Sequence, residues 1–234
     1  MNQNKFIEEL KKINVYINEK KLNQLEEYYN LLIEWNKKIN LTNITEKNQV
    51  YLKHFYDSLT INKIINLNEI DTLCDIGTGA GFPGLVLKII YPNLKVTLVD
   101  SLNKRINFLN YVIKKLKLEN IEVYHDRAEE FAKNNIEKFD VVTARAVAHL
   151  SILLEYSIPM VKINKYFIAM KANINEEIEE SQNALNILNS NIIKIEKFNL
   201  PIELSNRTLI KIKKIKKTNS KYPRKNNEIK KKML

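Results

Sequence analysis

Outside one short stretch, this 234-residue chain has no glycine. All four of its glycines, Gly77, Gly79, Gly81 and Gly84, fall within CDIGTGAGFPG, residues 74–84. A lone cysteine, Cys74, excludes an internal disulfide framework. Histidine is scarce too: His54, His125 and His149 stand without ligand spacing, so no metal centre is expected. No apolar run approaches the roughly 20 residues of a membrane span. The opening MNQNKFIEEL lacks an apolar signal core, and a soluble cytoplasmic protein is expected. Asn, Ile and Lys are abundant, which reads as genome composition without functional weight.

Charge is present and unevenly placed. Residues 211–234 hold eleven basic side chains against one acid, a net +10 of the chain's formal +11. The remaining 210 residues carry 27 basic and 26 acidic groups and are nearly neutral. A basic end of this kind suits a polyanionic partner, or serves only as a solvated terminus. On the first reading the tail supplies affinity for that partner and leaves the binding of any other ligand untouched.

The first 65 residues contain neither glycine nor proline and repeat apolar side chains at helical spacing. Leu22, Leu25, Tyr29, Leu32 and Trp35 form one stripe, and shorter helices are expected near 3–17 and 46–65. Thereafter short β-branched runs alternate with helical segments. TLCDI (72–76), VTLVD (96–100), IEVYH (121–125), FDVVTA (139–144) and YFIAM (166–170) read as parallel strands, with later strands near 192–198 and 208–214. FPGLVLKIIY, SLNKRINFLNYVIKKLKL and AVAHLSILLEYSIPMV supply the crossover helices. The division expected is a helical cap over 1–65, an α/β core over 66–214 and a basic tail over 215–234.

The glycines then sit where the first strand meets the next helix, at the carboxyl edge where open α/β sheets bind ligands. A phosphate-binding P-loop fails, because Leu85 and Val86 stand where Lys and Ser/Thr are required. The dinucleotide pattern G-x-G-x-x-G is met by Gly79, Gly81 and Gly84, with Asp100 about twenty residues on. The S-adenosylmethionine pattern D-x-G-x-G-x-G is met by Asp75, Gly77, Gly79 and Gly81, with Asp100 ending the second strand. An acid before the first glycine opposes a pyrophosphate and favours a sulfonium, so the methyl donor is preferred. The fold expected is class I and Rossmann-like, a seven-stranded mostly parallel sheet with the helical cap. Asp100 accepts from the ribose hydroxyls in this reading, or caps the helix that follows it.

DIGTGAGFPG, LVDSLNKRINFL, HDRAEEF and FDVVTARAVAHL together resemble the glucose-inhibited division protein B family. EWNKKINLT (34–42), HFYDSL (54–59), NRTLIKIKK and KYPRK extend the resemblance over nearly the whole chain. It implies methyl transfer from S-adenosylmethionine to N7 of a guanine in 16S ribosomal RNA, guanine 527. The partner implied is that RNA or the small ribosomal subunit, with the protein a monomer. Carried onto matching positions, the resemblance implies cofactor contacts at Gly77, Phe82, Ala128, Glu129 and Arg145. Arg145 pairs the cofactor carboxylate or an RNA phosphate, or makes a structural ion pair. RNA contacts are expected at Arg145, Lys221, Arg224 and Lys225. Two departures stand out: Ala172 follows Lys171 where the family has glycine, and NNEI replaces a glycine- and proline-containing turn near the end.

No catalytic side chain is named. Guanine N7 offers a lone pair and no proton, so positioning suffices. A cytosine-C5 enzyme would need a nucleophilic cysteine, whereas Cys74 reads as strand core. An exocyclic-amine enzyme would show N/D-P-P-Y/F where TARAV stands. The rivals are a protein or small-molecule methyltransferase, a noncatalytic RNA-binding protein of this fold, and an oxidoreductase.

Overall fold

A computed structural model describes residues 1–145, 148–172 and 174–234 of the chain. Its N-terminal part is helical. Helix α1 (Gln3–Lys12) starts at Asn2, whose side chain accepts the Lys5 amide at 2.9 Å. It ends sooner than its apolar spacing predicts, because Asn14 turns the chain with φ of +57°. Helix α2 (Glu19–Asn36) is capped in the same way by Asn18 and buries Leu25, Tyr28, Leu31 and Leu32. The third helical segment is a composite of α3 (Lys47–Val50), a π-helical turn (Tyr51–Tyr56), α4 (Asp57–Leu59) and a 3-10 turn (Thr60–Lys63). The π turn widens the helix locally, a distortion frequent at functional sites, and buries His54 with Phe55.

The core alternates β1 (Thr72–Ile76), α5 (Gly84–Ile90), β2 (Lys95–Asp100), α6 (Asn103–Lys115), β3 (Ile121–His125), α7 (Ala128–Lys133) and β4 (Phe139–Arg145). It continues through α8 (Leu150–Ser157), β5 (Val161–Lys171), α9 (Asn175–Glu180), α10 (Gln182–Ile187), β6 (Ser190–Asn199), β7 (Asn206–Lys214) and α11 (Asn226–Lys231). Ala146 and Val147, with which the sequence begins the helix after β4, lie outside the described residues. The seven strands form one sheet in the order β3-β2-β1-β4-β5-β7-β6. The first five are parallel, and β7 runs antiparallel to both of its neighbours. The order reverses between β1 and β4, which places a crevice at their carboxyl ends.

Both sheet faces are covered, as the near-continuous apolar runs require. Leu73 and Leu98 join one apolar cluster with the cap, including Phe6, Leu25 and Tyr28. Cys74 and Val99 face the other way into a cluster with α7 and α8. Cap and core thus share one interior. Strand β5 starts five residues before its apolar run, through VKINK, where the register with β4 shifts between Phe139 and Val141. No helix among the described residues is long and apolar enough to cross a membrane.

The scarcity of glycine has a structural counterpart. Asn14, Asn120 and Asn189 at turns and bends, and Asn164 within β5, take positive φ, where glycine is the usual choice. Asparagine tolerates that region better than other side chains. Its abundance therefore has a structural use that the sequence reading did not assign to it.

Candidate active site

The glycine loop leaves β1 at Ile76 and enters α5 at Gly84. Gly77 and Gly79 adopt φ of +65° and +63°. A Cβ built on Gly79 would meet no atom of the protein within 4 Å, so this backbone opens on free space. Gly84 is different: its Cβ would lie 2.4 Å from Leu98 and 2.9 Å from Asp75. That glycine lets α5 pack on the sheet. The glycines of the loop thus divide between two jobs, approach and packing.

Beside the loop is a cavity of about 550 Å³. Seven of the eight residues expected to hold a cofactor line it: Gly77, Gly79, Phe82, Asp100, Ala128, Glu129 and Arg145. The eighth, Asp75, does not. It is fully buried behind the loop, where one carboxylate oxygen accepts from Thr78 Oγ1 at 2.6 Å and Gly84 N at 2.8 Å. Its other oxygen has no hydrogen-bond partner among the described residues. Burial raises this carboxyl to about 7 against the hydrogen bonds and the Arg145 charge. Asp75 therefore shapes the loop, and the sulfonium-facing charge expected of it is not at the cavity wall.

Asp100 is 3% exposed, and each of its oxygens already accepts from the protein. It accepts from Gly79 N and Leu102 N, each at 2.9 Å, and pairs with Arg105 at 3.1 Å. It does not cap α6, whose N-cap is Leu102 without a side-chain cap, but holds the Leu102 amide just ahead of that helix, and Asp100 lines the cavity. Ala128 and Glu129 open α7 after β3 and line the same cavity.

Arg145 ends β4 and is the hub of a cluster that the sequence reading missed. Its guanidinium donates to the Lys53 carbonyl at 3.1 Å and to Asp57 at 3.3 Å, and lies 3.3 Å from His54 Nδ1. The His54 ring stacks on Phe82 with centroids 4.3 Å apart, and its Nε2 lies 2.9 Å from Thr42 Oγ1. Burial, reinforced by the Arg145 charge, lowers His54 to about 3, so the ring is neutral near pH 7. Asp57 also accepts from Arg207 Nε at 3.0 Å. Arg145 therefore makes the structural ion pair and faces the cavity as well. A second cavity of about 270 Å³ shares His54 and Arg145 with the first and adds Asp57, Lys171 and Arg207. HFYDSL contains His54 and Asp57, and NRTLIKIKK contains Arg207, but nothing in either segment points to the other.

The remaining expectations divide. Cys74 is fully buried in β1, and burial pushes its thiol up, so no reactive thiolate faces the cavity. Lys171 donates to the Ala148 carbonyl and pairs with Glu177, each at 2.7 Å. The basic end is not a free tail. Lys214 is fully buried and donates to the Pro159 carbonyl. Arg224, expected on RNA, instead grips the buried Glu155 at 2.7 Å, while Lys221 and Lys225 are exposed. Asn226 and Lys230 line the same cavity as the residues expected to hold a cofactor, so the docked end lies beside that site rather than apart from it.

The observed features fit S-adenosylmethionine: a cavity of ordinary cofactor size, a loop open at Gly79, and the Asp100 carboxylate in the wall. A family model described as rRNA small subunit methyltransferase G matches residues 21–210. Among curated relatives, the ribosomal RNA small subunit methyltransferase G of Bacillus licheniformis is 51% identical over 228 residues, spanning 96% of this chain and 95% of its own. The Bacillus subtilis protein of the same name is 50% identical over the same shares. A solved S-adenosylmethionine-dependent methyltransferase from Aquifex aeolicus is 18% identical with a TM-score of 0.53, over 77% of this chain and 97% of its own, a likeness of fold.

Proposed function

The chain belongs to the rRNA small subunit methyltransferase G family, and we propose that it moves a methyl group from S-adenosylmethionine to N7 of guanine 527 in 16S ribosomal RNA. When bound, the cofactor supplies a methyl group on a cationic sulfur. Gly77 and Gly79 give it backbone to lie against, and Asp100 offers acceptor oxygens for its hydroxyls. Ala128 and Glu129 form the wall beyond Asp100.

The observation that carries the reading is the shared wall of the two cavities. Arg145 and His54 line both, next to the loop that receives the cofactor. A nucleobase in the smaller cavity would meet this wall. Guanine N7 has an in-plane lone pair and no proton, so no residue of this chain has to remove one. The site agrees: both His54 nitrogens already face partners, and its basicity is suppressed. What the chain contributes is position, fixed by the Phe82–His54 stack and by Arg145 held on Asp57.

The test is transfer of labelled methyl to small subunits from cells lacking the protein. Label should appear in 16S RNA, and reduction followed by aniline should cut that RNA at guanine 527. Label in protein or metabolites, or RNA label that resists this cleavage, would refute the assignment.

A further inference from the structure

After β7 the chain folds back onto α8. Glu155, with a fully buried side chain, accepts from Arg224 at its amide (2.9 Å), Nε (2.8 Å) and terminal nitrogen (2.7 Å). Tyr156 Oη donates to Asn226 at 2.9 Å, and Tyr222 and Ile229 enter the apolar cluster beneath. This anchor brings Asn226 and Lys230 to the cofactor cavity beside Ile152 and Tyr156. Lys221, Lys225, Lys231 and Lys232 remain exposed, and none forms an ion pair among the described residues.

The segment thus lines the cofactor cavity through Asn226 and Lys230 and also carries four exposed lysines with no ion pair among the described residues. Repulsion among these like charges opposes its docking. Phosphates bound to them remove that opposition. They also offset Lys230, which faces a cavity whose proposed occupant is itself a net cation. Both effects have the same sign.

We propose that residues 221–234 couple RNA docking to cofactor retention: phosphates on the exposed lysines hold the segment against α8, and affinity for S-adenosylmethionine rises. The inference rests on the RNA reading above. Linkage makes it reciprocal, so bound cofactor tightens RNA to the same degree.

The test is titration of S-adenosylmethionine into the full chain at low salt, with and without poly(U). This polyanion has no guanine, so it cannot be a methyl acceptor in the proposed reaction. Poly(U) should tighten cofactor binding about five-fold or more, the lower end of common coupling strengths, and the gain should shrink as salt rises. Replacing Lys225, Lys231 and Lys232 together by Gln touches no cavity-lining residue. By the same repulsion argument it should raise cofactor affinity without RNA toward that of the poly(U)-bound parent, and leave little further gain when poly(U) is added. Unchanged affinity on adding poly(U) to the parent, or a full gain in the triple variant, would overturn the coupling. If 16S RNA is still methylated under that result, the proposed function survives alone. If poly(U) tightens binding but 16S RNA is never methylated, the coupling stands as a polyanion effect and the proposed substrate falls.

Discussion

Replacing Asp75 and His54 in separate variants should tilt the pH dependence of stability in opposite directions. Asp75 is raised from 3.8 to about 7 by burial. Between those values the unfolded chain has lost a proton that the native state keeps, so stability falls as pH rises. His54 is lowered from 6.5 to about 3 by burial and by Arg145. There the unfolded chain holds a proton that the native state refuses, so stability falls as pH falls. Each slope is about 1.4 kcal/mol per pH unit when one proton separates the states. The windows overlap from about pH 4 to 6.5, where the two slopes cancel in the parent. Asp75→Asn removes the first, so stability should climb by roughly 2–3 kcal/mol, relative to the parent, from pH 4.5 to 6.5. His54→Gln leaves only the first, and stability should decline over the same interval by a similar amount. Urea unfolding at three pH values, followed by Trp35 fluorescence and circular dichroism, gives each free energy by linear extrapolation. If both variants run parallel to the parent, the burial argument for this pair is wrong.

Asp100→Asn keeps the shape but leaves one acceptor where the carboxylate serves two amides and Arg105, so cofactor affinity should fall 10- to 100-fold, equivalent to about 1.5–3 kcal/mol, by calorimetry. Equal affinity would leave Asp100 with its hold on the Leu102 amide alone. Tyr28→Phe deprives the buried Ala80 carbonyl of its donor and should lower stability by about 1–2 kcal/mol; an unshifted urea midpoint would deny that the cap tethers the loop. Gly79→Ala places a methyl in open space at φ of +63°, so stability should drop only about 1 kcal/mol while cofactor binding weakens at least ten-fold. A variant that binds normally would show that the ligand approaches elsewhere.

Local sequence carries the fold here because burial on both faces leaves a local signature. The seven strands are β-branched runs with helical spacing between them, and the glycine loop marks the carboxyl edge where β1 and β4 diverge. The first half of β5 escaped because VKINK is polar and pairs through a register shift. The docked C-terminal segment escaped because its buried Tyr222 and Ile229 sit among lysines whose charge dominates any composition reading. In the site, residues near the loop and at strand ends follow from the motif. The Arg145–Asp57–Arg207 cluster does not, since its partners are 88 and 150 positions apart and meet only through the finished sheet.

The place of β7 between β5 and β6 has a consequence for synthesis. A ribosome releases the chain from its N-terminus, so the parallel strands and cap emerge before residues 206–214 exist. Until then β5 presents an open edge and β6 has no partner, since β7 is hydrogen-bonded to both. An exposed edge of this kind invites pairing with another chain. The half-made protein is therefore most prone to aggregate just before its last strand arrives, and Arg207, carried on that strand, reaches Asp57 only when the edge closes.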